Sequence, residues 1–287
     1  FRGMSIIKQK SSNPVVVWCS DLHINSTVAL CVPDFELDDG NKHKNSKLQD
    51  ALWEAWVDAW KQVKQKARGR EVVGIIGGEI ADLGVKHPSL QFITRNRTDV
   101  ESMAQETLIP MLDVVSKLVV LRGTEAHVDQ SAQIDESIAK QIAKSSDWHN
   151  KVKVIRDGSR YSHYYMRRYI GGRLFDLAHH VGMGSAQRSE RDAANHLAAD
   201  LIMKYARWRE LPPDFALRGH VHRHSDSADN FPTRAIISGA WQMHTSFSSR
   251  IGADGSKADI ELIFIEPDTK NAERINYEAK REPAKYI

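Results

Sequence analysis

The chain has 287 residues, of which 41% are hydrophobic and 27% charged, with 17 glycines and 9 prolines. This composition is typical of a globular protein and excludes collagenous and disordered classes. The 40 basic residues nearly balance the 37 acidic ones, and a net charge of +3 excludes a strongly basic nucleic-acid coat protein, though not a local basic patch. The two cysteines, Cys19 and Cys31, are too few for a disulfide framework and favour a reducing, cytoplasmic setting.

The sequence carries no recognisable targeting or membrane signal. No apolar run approaches the ~20 residues that span a bilayer, and the first residues lack the apolar stretch of a signal peptide. We expect Met4 to be the native start, with residues 1–3 left over from cloning, and 4–287 to form a single domain.

Strands and helices are predicted to alternate over the first half of the chain. The β-branched run Val15–Cys19 is typical of a buried strand. Apolar residues at spacings of three and four predict an amphipathic helix over 47–67, with Ser46 as its N-cap. The next predicted elements are a strand at 71–76, a helix at about 98–116, a strand at 118–121, a helix at about 129–144 and a strand at 152–155.

The second half is richer in strands. Two apolar-aromatic runs within 161–178 flank Gly171-Gly172 and predict a β-hairpin. They are followed by a long helix at about 190–209 and short strands at 215–217, 234–237 and 260–265. The pattern predicts a layered α/β domain with the sheets inside and the helices outside.

Two features of the first long helix have a functional and a structural interpretation. Trp53, Trp56 and Trp60 could form a platform for stacked bases, but their spacing favours a stripe facing the core. The basic run Lys61–Arg70 could face nucleic acid, but it is more typical of the solvated end of a helix.

Histidines and carboxylates follow five of the predicted strands. In chain order these pairs are Asp21 and His23, Glu79 and Asp82, Glu125 and His127, His179 and His180, and His220 and His222. Since α/β sheets present their sites at the carboxyl ends of strands, we expect the five pairs to meet.

The donor types indicate a transition-metal site. In Asp21-x-His23, the period-two alternation of extended chain sends both side chains to the same side. Imidazole and carboxylate without thiolate suit Mn, Fe, Zn or Ni rather than Ca or a structural zinc finger. Two such ions about 3.5–4 Å apart would clamp a phosphate and generate a hydroxide nucleophile.

The ordered motifs resemble the calcineurin-like metallophosphoesterase superfamily. They are Asp21-x-His23, Gly78-Glu79-x-x-Asp82, Gly123-Thr124-Glu125-Ala126-His127, His179 and Gly219-His220-x-His222. The Gly-Thr-Glu-Ala-His form is similar to a branch found in phage and prophage proteins, which implies a bacterial or phage-encoded protein. The resemblance implies a four-layer α/β/β/α sandwich with mixed sheets and a dinuclear metal site at the strand ends.

The resemblance also implies roles for individual residues. Manganese is the expected metal, with iron, zinc or nickel as alternatives, and Asp82 would support a ligand rather than bind metal. The implied ligands are Asp21, His23 and His222 for the first ion, His179 (or its neighbour His180) and His220 for the second, and Glu79 as the bridge. The family usually has Asp at the bridging position, so Glu79 adds one methylene.

The sequence departs furthest from the family after the third strand. The family has Gly-Asn-His there, whereas Gly123 is followed by Thr124, so Thr124, Glu125 or His127 could take the place of the missing Asn ligand. His127 is the only imidazole on this loop and is our candidate for the general acid. Arg122 could hold a phosphate oxygen.

The implied function is phosphoester hydrolysis by a hydroxide that bridges two metal ions. A phosphodiester of a nucleotide or nucleic acid is favoured as substrate by analogy with the phage-like branch. A phosphomonoesterase or protein phosphatase is the alternative within the class. The altered Asn-His block also allows a catalytically degenerate interaction scaffold. No membrane partner is expected.

Overall fold

The computed structural model describes residues 13–84, 91–181, 192–246 and 258–278. Residues 1–3 and the predicted start at Met4 lie outside these ranges. Within them, none of the helices combines the length and the apolar character that crossing a membrane requires. The assignment of 4–287 to a single domain remains a prediction.

The first of two sheets has six strands, which are β1 Val15–Cys19, β2 Val72–Ile76, β3 Lys117–Val120, β4 Lys153–Val154, β10 Asp259–Glu266 and β11 Asn271–Glu278. Their order in the sheet is β11-β10-β1-β2-β3-β4. Strands β1 to β4 are parallel, whereas β10 pairs antiparallel with both β1 and β11, so the sheet is mixed.

Helices connect the parallel strands of this sheet. They are α1 Lys47–Ala67 between β1 and β2, α2 Arg97–Leu112 between β2 and β3, and the short α3 Glu125–Val128 followed by α4 Gln133–Lys144 between β3 and β4. The N-terminus of α1 is closed by a capping box: the amide of Gln49 donates to Ser46 Oγ at 3.3 Å, and the amide of Ser46 donates to Gln49 Oε1 at 3.2 Å.

The second sheet has five strands, which are β5 Tyr165–Ile170, β6 Arg173–Ala178, β7 Phe215–Arg218, β8 Ser225–Asp226 and β9 Arg234–Ile237, with helix α5 Ala193–Trp208 between β6 and β7. Their order in the sheet is β5-β6-β7-β9-β8. The central strands β6, β7 and β9 are parallel, while the edge strands β5 and β8 run antiparallel to their neighbours.

Alternation along the strands assigns side chains to three buried interfaces. In β1, Val15 and Val17 pack under the helices of the first sheet, whereas Val16 and Trp18 pack between the two sheets. In β7, Leu217 faces the first sheet and Ala216 packs against α5. The layers therefore follow the order α/β/β/α, which confirms the predicted α/β sandwich with mixed sheets.

Most predicted elements are present, some with the predicted ends, as in β1, α1 and β9, and others with shifted ends. The tryptophan stripe of α1 is structural, because Trp56 and Trp60 are fully buried. Helix α2 stops at Leu112, before the predicted end. The predicted start of α5 at 190 lies outside the described residues. Strand β11 was not predicted, since its sequence is polar and most of its side chains are accessible to solvent.

We expect Trp56→Ala to lower the free energy of unfolding by about 3–5 kcal/mol, because it empties a large buried site. The mutation also removes the bond from the indole N–H to the Thr107 carbonyl at 3.0 Å. Urea denaturation measures the change. The control is Val57→Ala on the same helix, whose side chain is 40% exposed; it should change stability by less than about 0.5 kcal/mol. Equal losses in both variants would contradict the assignment of the core.

Candidate metal centre

The carboxyl ends of five parallel strands meet at one edge of the sandwich and bring the predicted site residues together. Strands β1, β2 and β3 of the first sheet and β6 and β7 of the second each lead into one of the polar clusters. Their ligand-type atoms form two groups, each within 4.8 Å: Asp21, His23, Glu79 and His222 in one, and His179, His180 and His220 in the other.

The backbone at this edge adopts a conformation that L-residues rarely occupy. Five of the six predicted ligands have positive φ: Asp21 (56°), His23 (47°), Glu79 (56°), His220 (76°) and His222 (57°). Such left-handed conformations cost roughly 1–2 kcal/mol per residue and concentrate at functional sites. The sharp bends turn the side chains inward from the strand ends.

Two glycines allow the loops to approach each other. Gly78 has φ of 105°, and a Cβ there would lie 2.8 Å from Nδ1 of His179. At Gly123, a Cβ would lie only 2.3 Å from Cγ of Glu79. The β3 loop can therefore close over Glu79 only because residue 123 has no side chain.

The carboxylate of Glu79 lies at the centre of the site. Its Oε2 is 2.9 Å from Nε2 of His23, and its Oε1 is 3.2 Å from Nε2 of His179. Thr124 donates both its hydroxyl and its backbone amide to Oε1. Glu79 is 1% exposed, so these contacts replace nearly all of its hydration.

Asp21 provides the second carboxylate of the cluster. Its Oδ1 lies 3.3 Å from Nε2 of His222, and the backbone amide of His220 donates to its Oδ2 at 3.0 Å. Asp21 is fully buried. The loop after β7 is thereby tied to the loop after β1, which joins the two sheets at the site.

The imidazoles of His179 and His23 direct their Nε2 atoms into the cluster. His179 Nδ1 donates to the Gly77 carbonyl at 2.7 Å, so its Nε2 carries a lone pair when the ring is neutral. That Nε2 is buried and has no hydrogen-bond partner among the described residues, although Glu79 Oε1 is near. His23 Nε2 lies 3.1 Å from His222 Nε2. Electron-rich atoms this close require a proton or a cation between them, so the donor set fits a metal ion.

The electrostatics of the cluster also favour added positive charge. Burial disfavours the charged form of His179, but the carboxylates of Asp21 and Glu79 outweigh it and raise the pKa to about 9. Burial alone would raise the pKa of Glu79, but the positive charge of His23 and His179 holds it well below its usual range. Without a metal, the site therefore holds protons at neutral pH.

Asp82 joins a buried histidine to an accessible one. Its Oδ2 accepts from Nδ1 of His23 at 3.3 Å and from Nδ1 of His127 at 3.0 Å. The two bonds lower the pKa of Asp82 although burial opposes ionisation. The side chain of His127 is 37% exposed, and the bond from Nδ1 leaves its Nε2 available.

Of the other residues on and beside the loop after β3, Thr124 contacts the cluster, whereas Glu125 and Arg122 bond elsewhere. Thr124 supports Glu79, while Glu125 turns away and accepts from the amide of Ser131 at 3.3 Å. Arg122 does not reach the cluster, because its guanidinium is engaged by Ser162, Ser131 and Glu136. The expected phosphate contact from Arg122 therefore has no support in its position.

Sequence reasoning missed Asp135 of α4. Its carboxylate is fully buried and accepts from the amide of Gly123 at 2.8 Å and from that of Ile80 at 3.1 Å. Burial raises the pKa of Asp135 to about 6. It joins the loops after β2 and β3. The available signal was a charged residue on the buried stripe of α4 that includes Ile134 and Ile138.

No family model matches the chain, and no curated protein matches it. Among solved structures, a hypothetical protein PH1004 from Pyrococcus horikoshii OT3 has a TM-score of 0.43 at 11% identity, covering 93% of this chain and 89% of that one. A 5'-nucleotidase from Candida albicans SC5314 has a TM-score of 0.41 at 10% identity, and the match covers 93% of this chain but only 51% of that one.

Vps29 from Chaetomium thermophilum has a TM-score of 0.38 at 9% identity, covering 93% of this chain and 98% of that one. These values describe distant similarity.

We expect Asp135→Ala to lower the free energy of unfolding by about 2 kcal/mol or more, because it leaves two buried amides unpaired. Native-state hydrogen exchange should show faster exchange at Gly123 and Ile80. Lys140→Ala, at an exposed position of the same helix, is the control and should leave both rates unchanged. Unchanged protection of these amides in Asp135→Ala would show that the carboxylate does not hold the loops.

Proposed function

We propose that this chain is a phosphoesterase that depends on two divalent transition-metal ions. One observation carries the proposal: the buried carboxylate of Glu79 lies between the Nε2 atoms of His23 and His179, one near each carboxylate oxygen. A carboxylate with an imidazole nitrogen on each side is suited to bridging two cations.

The surrounding donors divide between the two sides of Glu79. Asp21, His23 and His222 would hold one ion, and His179 with His220 the other. His180 belongs to the same group as these last two, with its ring centroid 4.9 Å from that of His179, and is an additional donor for the second ion. Nitrogen and oxygen donors without thiolate suit manganese, iron, zinc or nickel, of which we propose manganese.

When bound, such ions supply Lewis-acid activation of a phosphoryl group and a hydroxide nucleophile at neutral pH. The residues of the chain orient them. Thr124 donates to Glu79 and so limits its rotation. The bond from His179 to the Gly77 carbonyl fixes the tautomer that can bind metal.

His127 is suited to protonate the leaving group. Asp82 accepts from its Nδ1 and so orients the ring, while the accessible Nε2 can give a proton to a departing oxygen. The ring centroid of His127 is 4.8 Å from that of His23, and this proximity to a proposed metal ligand supports the role of an acid. Asp82 is a positioning residue, because it acts through the two histidines.

A phosphodiester of a nucleotide or nucleic acid is the substrate that we favour. The alternative is a scaffold without activity, and one observation favours it: Thr124 stands where an Asn ligand is expected and bonds to Glu79 instead. The two functions differ in whether the purified chain turns over a phosphoester with added metal.

We expect hydrolysis of bis-p-nitrophenyl phosphate with Mn²⁺ and its loss in EDTA. His222→Ala should reduce bound metal, because one ion loses an imidazole, and elemental analysis of the purified protein measures the stoichiometry. His196→Ala, which removes an exposed imidazole from α5, is the matched control and should retain both metal and turnover.

Two results would count against the proposal. Full metal binding without turnover of this ester or of p-nitrophenyl phosphate would favour the scaffold. Unchanged metal content in His222→Ala, with unchanged activity at limiting metal, would remove His222 from the site.

We expect His127→Ala to keep both metals and to lose about 10²–10⁴-fold in activity on a diester with an alkyl leaving group. The loss on bis-p-nitrophenyl phosphate should be much smaller, because p-nitrophenolate departs without a proton. Steady-state rates on the two esters give the comparison. A fall in metal content would instead make His127 a ligand, and no effect on either ester would exclude it from the site.

A further inference from the structure

Exposed large hydrophobic side chains are concentrated on one part of the second sheet. Of eight such side chains among the described residues, six lie on or beside β5 and α5: Tyr164, Tyr165, Tyr169, Met203, Trp208 and Leu211. Tyr169 is 67% exposed and Trp208 57% exposed. Exposed apolar side chains that lie together mark an interaction surface, whereas single exposed ones scattered over a protein do not.

Direct contacts join side chains of β5 and α5 around the ring of Tyr205. The hydroxyls of Tyr165 and Tyr205 are 2.9 Å apart, and the ring of Tyr205 packs edge-on against Trp208. Arg167 lies over the ring of Tyr205 at 4.3 Å, and Lys204 lies over that of Trp208 at 4.8 Å. Strand β5 and helix α5 thus present aromatic rings and cations side by side.

The surface is positively charged. Lys204 lies three residues before Arg207 and four before Trp208, so the exposed side chains of this turn of α5 lie near one another. Neither Lys204 nor Arg207 forms an ion pair with any described residue. Arg167 is paired with Glu210 at its edge. We define the aromatic–basic surface as Tyr165, Arg167, Tyr169, Lys204, Arg207 and Trp208.

This surface begins beside the candidate metal centre. Tyr165 pairs with Ala178, the residue that directly precedes His179. From there β5 runs to Ile170 along the free edge of its sheet, a distance of about 17 Å. A chain-like ligand lying on the surface could therefore reach the metal centre at one end.

We propose that the aromatic–basic surface binds single-stranded nucleic acid and leads it to the metal centre. Aromatic rings stack on bases of any sequence, and the neighbouring cations neutralise phosphates. A second copy of this chain fits less well, because it would bring like charges face to face. The inference names the substrate class of the proposed phosphoesterase and so rests on that function, but binding can be measured without turnover.

The test uses the whole chain in EDTA and a fluorescein-labelled oligothymidylate of about 20 nucleotides, followed by fluorescence anisotropy. Tyr169→Ala with Trp208→Ala should weaken binding at least about fivefold, because both stacking rings are lost. Lys204→Glu with Arg207→Glu should lower the slope of log K against log salt by about 1.4, since each lost phosphate contact removes ~0.7.

The matched control is Lys61→Glu with Lys64→Glu, which makes the same change of charge at exposed positions of α1, in the opposite outer layer. It should leave both the affinity and the salt dependence unchanged. The proposal would be overturned if the control lost as much affinity and salt dependence as Lys204→Glu with Arg207→Glu. It would also be overturned if the unaltered chain bound no oligonucleotide. Unchanged affinity after both aromatic substitutions would also overturn the proposal, because binding would then depend only on nonspecific electrostatic attraction.

Two further measurements separate the remaining outcomes. Hydrolysis of bis-p-nitrophenyl phosphate should be unchanged in the surface variants, so loss of binding with intact turnover is a failure of the surface and not of the proposed function. Oligonucleotide binding by a chain without turnover would refute the phosphoesterase and leave the binding surface. Sedimentation equilibrium measures whether the chain forms a dimer. If it does, if Trp208→Ala dissociates that dimer and if no oligonucleotide binds, the surface belongs to a contact with a second copy and the proposal is overturned.

Discussion

The buried carboxylate of Glu79 is the constraint on which the candidate site depends. Burying an ionised carboxylate is costly unless opposite charge and hydrogen bonds compensate for its lost hydration. Here the compensation comes from His23 after β1, His179 after β6 and Thr124 after β3. Three loops on two sheets must therefore stay in register around one side chain, and a small displacement of any of them would leave a buried charge unpaired.

The rest of the fold supplies the rigidity that this arrangement needs. Left-handed backbone at Asp21, His23 and Glu79 stores strain that only the surrounding structure can offset. Asp135 holds two of the loops from α4, and the amide of Trp241 donates to the carbonyl of Asp21 at 2.9 Å. Apolar layers on both faces of each sheet then keep the strand ends in place.

Glu79 and Thr124 join the loops after β2 and β3 in one interaction. The Cγ of Glu79 occupies the volume that a side chain at Gly123 would fill. Its carboxylate thereby reaches the amide and the hydroxyl of Thr124. The missing side chain at residue 123, the length of the acid and the short hydroxyl residue are therefore parts of one arrangement.

The amino-acid sequence determined the layers and the position of the polar clusters. The continuous apolar run of β1 and the helical period of α1 depend on neighbours close in sequence, so both elements were predicted with the ends that the structure has. Only the tertiary structure decided that Arg122 is engaged elsewhere, that Asp135 holds two site loops and that exposed rings of β5 and α5 form one surface. These contacts join residues from different parts of the chain, and no local pattern encodes which distant partner a side chain meets.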